Sequence, residues 1–258
     1  MSKVFISPGH GGSDWGATGY LVEKDVNLKM AKACAAYLLE RGVDVLLSRA
    51  VDGNESLAGK IKACNDFNPD VAVECHNNAG GGDGFEVYHS IVGGVGKELA
   101  KNIETEIIKI GQNSRGLKTR VGSSGADYFA FIRQTKCPAV ICEGAFVDNK
   151  ADAEQIDSDA ECKIFGEAYA RGVLKTLNIT DIVEKSPVDD TQEKGYRVKV
   201  TTAALNVRSG PGTNYKVSQV ILDEGVYTIV EERTVNGIRW GRLKSGAGWI
   251  GLSFTEKI

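Results

Sequence analysis

The sequence predicts an α/β fold, a mostly parallel sheet with helices on both faces, followed by a small all-β barrel. Three observations carry this. Short apolar runs alternate with amphipathic helical stretches as far as about residue 178. The runs are almost continuously apolar, as strands buried on both faces must be. After residue 195 the helical periodicity stops, and short β-rich runs follow one another between glycine-containing turns.

Val4-Phe5-Ile6 opens the chain as a strand, ended by Pro8 and Gly9. A helix follows from about Leu21 to Arg41, with Val26, Met30, Cys34 and Leu38 on one face and Gly42 where a C-cap belongs. Val43 to Ser48 reads as a strand, Glu55 to Phe67 as a helix, and Val71 to His76 as a third strand running into Asn77-Asn78-Ala79-Gly80. Phe85 to His89 is a fourth strand. Val95, Leu99, Ile103, Ile107 and Ile110 mark a long amphipathic helix. The pattern weakens between Arg115 and Gly125, an exposed loop or short strand, and Ala126 to Arg133 reads as a short helix. Ala139 to Glu143 is an apolar strand broken by Gly144, and Lys150 to Leu177 is helical with an interruption near Asp157-Ser158-Asp159. Three segments result: 1–178, a polar connector over 179–195, and an all-β piece over 196–258. In the last, Asn236-Gly237 signals a hairpin, because both turn positions need positive φ.

A net charge of −3 gives no reason to expect nucleic acid as a partner. The charge is uneven, however: −4 over 1–178, −3 over the connector and +4 over 196–258, which suits an anionic partner for the last segment. No run approaches the ~20 apolar residues that would span a membrane. The N-terminal apolar stretch is also too short for a signal peptide, so synthesis in the cytoplasm is expected. Six cysteines contain no CxxC pair and lie mostly in apolar runs, as reduced core residues do.

Three histidines stand out because they are few. His10 and His76 both end apolar strands and precede glycine-rich turns, and in a parallel sheet such ends line up along one edge, where ligand sites form. Glu143 also ends an apolar strand, and Glu23 begins the helix after the His10 loop. Alternation turns Cys75 and Cys142 away from the face used by His76 and Glu143, and puts Glu74 on the face of His76, as a candidate partner for an imidazole N–H. Two histidines and a carboxylate form a zinc set with one position open, as a hydrolytic site requires, with a further glutamate free to move protons. On spacing alone, these could equally be ordinary strand-end polar residues. His89 reads as a surface or edge histidine outside this set.

Four separated motifs resolve the choice. Pro8-Gly9-His10-Gly11-Gly12, Glu23-Lys24-Asp25-Val26-Asn27-Leu28, His76 with Asn78-Ala79, and Glu143-Gly144-Ala145-Phe146 with Asp148-Asn149 occur in order. Together they resemble the zinc-dependent N-acetylmuramoyl-L-alanine amidases of the type 3 family over about residues 1–178. The resemblance implies that His10, Glu23 and His76 bind one zinc ion and that Glu143 is the catalytic glutamate. It also implies the substrate, the amide joining the lactyl group of N-acetylmuramic acid to L-alanine in bacterial peptidoglycan. Glu74-Cys75 departs from the family, which more often has Ser-Ile before the second histidine. The tail resembles a bacterial SH3-like domain through Ala204 to Gly212 and Trp249-Ile250, which implies binding to cell-wall peptides or anionic wall polymers. With no signal peptide, a phage-type endolysin is the expected setting. The rival readings are a zinc peptidase cutting the stem peptide and a wall-binding protein without catalysis.

Overall fold

The computed structural model describes residues 2–181, 195–213, 215–235 and 237–258. The chain divides into two compact units, Met1–Glu184 and Lys185–Ile258. Most of the expected connector therefore lies outside the described residues.

The first unit runs β1 (Lys3–Pro8), α1 (Glu23–Leu39), β2 (Asp44–Leu47), α2 (Leu57–Phe67), β3 (Val71–Asn78), β4 (Phe85–His89), α3 (Gly94–Lys109), β5 (Ser114–Lys118), α4 (Ala130–Gln134), β6 (Ala139–Phe146), α5 (Lys150–Ala153) and α6 (Asp159–Thr176). Its sheet has the order β2-β1-β3-β6-β4-β5. β1, β2, β3 and β6 are parallel to their neighbours, while β4 pairs antiparallel with β6 and parallel with β5. The sheet is thus mixed, with four strands running one way and two the other.

Strand alternation decides what each face packs against. Val4, Ile6, Val73, Cys75, Val140 and Cys142 point to one side and form a buried core with α1, α3 and α6. Phe5, Ala72, Ala139 and Ile141 point to the other and meet Ile61 and Cys64 of α2 and Phe131 and Ile132 of α4. Each large aliphatic or aromatic chain fully buried here contributes roughly 1.5–3 kcal/mol. Helix ends follow their sequence signals. Ser158 and Glu161 form a capping box at α6, and Ser56 accepts a hydrogen bond from Gly59 N at α2.

Three sequence expectations are corrected. β6 is not broken at Gly144 but continues to Phe146. The glycine is needed for close approach: a Cβ there would lie 2.8 Å from both Asn77 Oδ1 and Tyr169 Oη. The helix expected from Ala126 starts only at Ala130, because residues 121–127 fold into a tight arm with a Val121–Asp127 bridge. His89 is buried, not superficial, with Nδ1 donating to Ser90 O at 2.8 Å. The cysteines are all free, and five of the six are buried.

The second unit is all antiparallel: β7 (Tyr196–Val200), β8 (Leu205–Arg208), β9 (Val217–Ile221), β10 (Val226–Val235), β11 (Ile238–Leu243), β12 (Trp249–Gly251) and β13 (Thr255–Lys257), in the order β13-β7-β10-β11-β12-β8-β9. Val198, Val200, Val207, Ile229, Leu243 and Ile250 fill its core. Val235 pairs with Ile238 across the β10–β11 turn, where Gly237 has φ +78°. Asn236 lies outside the described residues.

Candidate metal centre

The site lies at the C-terminal ends of β1, β3 and β6, on the α2/α4 side of the sheet. Gly9 N donates to Cys75 O at 2.8 Å, which carries the pairing of β1 with β3 into the loop. A Cβ on Gly9 would lie 2.3 Å from the His76 ring, so only glycine lets that imidazole rest against the β1 backbone. His10 itself sits in the left-handed region at φ +58°, a conformation that costs a non-glycine residue energy and persists only when its surroundings hold it. Arg49, nearly buried, supplies the hold: its Nη2 donates to Gly9 O at 3.1 Å and its Nε to His10 O at 3.0 Å.

His10, Glu23 and His76 converge. His10 Nε2 is 3.2 Å from Glu23 Oε2, and His76 Nδ1 is 2.9 Å from Glu23 Oε1. One donor atom from each lies within 4.8 Å of the others. Ligands bonded to one zinc ion at ~2.0–2.2 Å lie no more than about 4.4 Å apart. In a tetrahedral shell such ligands stand about 3.3–3.6 Å apart, so the set closes on one ion with side-chain adjustments of about an ångström. Its chemistry fits as well, with two imidazoles and one carboxylate.

The outer contacts differ from expectation. His10 Nδ1 donates to Asp14 Oδ2 at 2.9 Å, fixing the ring and leaving Nε2 for the centre. Asp14 was not singled out in the sequence, although a carboxylate four residues beyond a loop histidine was the available signal. Glu74 shares the His76 face as expected, but its Oε2 stands 3.8 Å from His76 Nε2, while its Oε1 accepts from buried Lys60 Nζ at 2.7 Å. Glu23 is held from behind by a buried amide chain. Asn27 Nδ2 donates to Glu23 Oε1 and to Gly9 O, both at 3.2 Å, and Asn77 Nδ2 donates to Asn27 Oδ1 at 2.8 Å. Asn77 Oδ1 then accepts from Ala145 N at 3.1 Å, tying the chain to β6. No periodicity in the sequence marks these two asparagines as partners.

Glu143 sits opposite His76 in the β3–β6 register and opposite Glu86 in the β6–β4 register. It lines a cleft of about 350 Å³ together with His10, Lys60, His76, Phe129 and Phe131. It accepts no hydrogen bond from any described residue. Protein surrounds it on most sides although solvent reaches it from the mouth. Burial, with the negative charges of Glu23, Glu86 and Glu74 and against the opposing charge of His76, raises its pKa to about 7. The ligand set shows the opposite pattern. Burial opposes ionisation of Glu23, but hydrogen bonds from both imidazoles overcome it and hold the carboxyl far below its usual range. Burial likewise opposes the His76 imidazolium, yet its hydrogen bond to Glu23 and the nearby Glu74 carboxylate lift it to about 10. His10 is also raised, chiefly by its hydrogen bond to Glu23. Two carboxylates a few residues from one another in space are thus driven in opposite directions, the mark of an acid–base site.

The N-acetylmuramoyl-L-alanine amidase family model matches residues 4–175. CwlM of Bacillus licheniformis, an N-acetylmuramoyl-L-alanine amidase, is 38% identical over 212 residues, which span 80% of this chain and 79% of the relative. The endolysin of Bacillus phage SPP1 is 33% identical over 264 residues, spanning 95% of this chain and 94% of the relative. Among solved structures, the N-acetylmuramoyl-L-alanine amidase AmiC2 of Nostoc punctiforme superposes with a TM-score of 0.63 at 30% identity, covering 69% of this chain and 97% of that one. With the family model covering residues 4–175, which include His10, Glu23, His76 and Glu143, this chain belongs to the N-acetylmuramoyl-L-alanine amidase family.

Proposed function

We propose that this chain is a zinc-dependent peptidoglycan hydrolase that cleaves the amide between N-acetylmuramic acid and L-alanine. The observation that carries the reading is the convergence of His10, Glu23 and His76 beside a half-buried Glu143 whose carboxyl is lifted to about 7. His10 Nε2, a Glu23 oxygen and His76 Nδ1 would hold the ion. When bound, zinc would polarise the scissile carbonyl and lower the pKa of a water to about 7. The Glu143 carboxylate takes a proton from the attacking water and delivers it to the departing alanine nitrogen, so a C–O bond forms as the C–N bond breaks. A group with a pKa of about 7 does both transfers with little driving-force penalty. Phe129 and Phe131 wall the cleft and lower its polarity.

Residues 196–258 form, on this reading, an SH3-like module that holds the enzyme on the wall, and the segment 179–195 tethers it. Tethering raises the local concentration of wall at the catalytic unit, so a weakly binding module suffices. The excess of basic residues in the module suits anionic wall polymers. Likeness to a phage endolysin over nearly the whole chain supports a lytic setting. Among the described residues no helix is long and apolar enough to cross a membrane.

Digestion of purified walls with and without a chelator, followed by end-group analysis, tests the reading. New amino termini should all be alanine, and activity should vanish with chelator and return with zinc. Termini at any other residue would replace the amidase reading with stem-peptide cleavage. No digestion under any condition would leave a wall-binding protein.

A further inference from the structure

The cleft is rich in acids. Asp14, Glu55, Glu74 and Glu143 line it, and its basic side chains are already paired, Lys60 with Glu74, His10 with Asp14 and His76 with Glu23. Such a lining leaves no side-chain cation free for the carboxylates of a substrate peptide, which are held best by a cation without acidic partners. The structure provides one. From Glu143 a contiguous aromatic wall leads outward. Phe129 lines the cleft with Glu143 and meets Tyr88 edge-to-face at 4.9 Å, and Tyr128 meets Phe129 at 5.2 Å. The Arg120 guanidinium lies 3.7 Å over the Tyr128 ring, at the exposed outer end of this wall. Among the described residues it meets aromatic rings and no carboxylate, so its charge is unspent.

The arm that carries Arg120 is preorganised. Tyr128 N donates to Arg120 O at 2.8 Å, and Gly122 N to Ala126 O at 2.8 Å. Asp127 at the arm's base accepts from Ser90 Oγ at 2.7 Å and from Ile91 N at 2.8 Å, while Arg133 donates to the carbonyls of Asp127 and Tyr128. An arginine already stacked and held loses little freedom when it takes a ligand.

We propose that Arg120 is a specificity-determining residue, binding a carboxylate of the substrate's peptide on the leaving-group side of the amide. The inference rests on the amidase reading and extends it. The guanidinium also lies 5.9 Å from the centroid of Phe129, which lines the cleft together with Glu143.

The test uses the zinc-loaded full chain and two soluble muramoyl peptides, one with free carboxylates beyond the alanine and one with the same groups as carboxamides. Arg120→Met should lower kcat/KM for the carboxylate substrate by roughly tenfold or more, mostly through KM, and leave the carboxamide substrate unchanged. Arg120→Lys should recover part of the loss, because it restores charge without the planar fork. Equal losses on both substrates would reduce Arg120 to a support for the arm and overturn the proposal. So would no loss on either. A wild-type enzyme that releases peptide from neither substrate would overturn the amidase reading itself, and this inference with it.

Discussion

Asn27→Ala tests whether the buried amide chain behind Glu23 is part of the metal centre or merely part of the core. Asn27 is fully buried and makes three side-chain hydrogen bonds: to Gly9 O, to Glu23 Oε1 and from Asn77 Nδ2. Two neutral bonds contribute about 1 kcal/mol each, and the bond to a charged carboxylate about 1.5 kcal/mol or more. Alanine offers no replacement donor or acceptor, so the expected loss is about 3–4 kcal/mol, a large share of the ~5–15 kcal/mol that holds a typical domain folded. All the α-helices among the described residues lie in the first unit, so urea unfolding followed by circular dichroism at 222 nm reports chiefly on that unit. With a slope near 2 kcal/mol per molar urea, the midpoint should fall by roughly 1.5–2 M. The same change frees Glu23 to swing, and loss of such an outer contact weakens metal binding by about 10- to 100-fold. Competition with a chromophoric chelator measures that affinity. If stability falls as expected while zinc affinity stays within twofold of wild type, the asparagines support the fold and do not orient Glu23.

Glu143→Gln should reduce hydrolysis by about 10²–10⁴-fold while leaving zinc stoichiometry intact. Because the folded state raises the Glu143 carboxyl from 4.5 to about 7, its charge opposes folding. That penalty is absent below pH 4.5, grows through the interval up to 7, and is complete above it. The metal-free variant should therefore be more stable than the metal-free wild type at pH 8, by an amount on the order of 2–3 kcal/mol, and equal to it near pH 4.5; a variant less stable at pH 8 would contradict the burial argument. Zinc binding should strengthen with rising pH, since His76 keeps its proton up to about 10 in the metal-free centre and His10 is raised as well. Each displaced proton steepens the affinity by about tenfold per pH unit below the relevant pKa, and calorimetry in buffers of different ionisation heat counts them. Zinc uptake with no proton release would mean that ligands other than these imidazoles take the metal.

The four residues of the candidate centre were legible in the sequence because each stands beside an apolar run or at a helix start whose period is local. His10 and His76 follow apolar runs, Glu143 ends one, and Glu23 opens a helix. The family motifs then removed the ambiguity that spacing left. What surrounds the four was not legible. Lys60 looks like any helical lysine until it is found buried against Glu74. Arg49 looks like a strand-end arginine until its guanidinium is found on the carbonyls of Gly9 and His10. Gly144 reads as a strand breaker, and becomes intelligible only when Asn77 and Tyr169 are seen against it.

Local chemistry alone determined where strands and helices lie, which side of each strand is apolar, and that polar groups of metal-binding type gather at strand ends. Those features depend on side chains a few residues apart, and hydrophobic period reports them directly. Tertiary structure decided the rest. β4 inserts antiparallel beside β6, α1 brings Glu23 between two imidazoles, and the fold of the 121–127 arm sets Arg120 over the Tyr128 and Phe129 rings. Each is a pairing between segments tens of residues apart, selected by the packing of the whole sheet and by the satisfaction of every buried polar group, and periodicity within one segment carries no information about it.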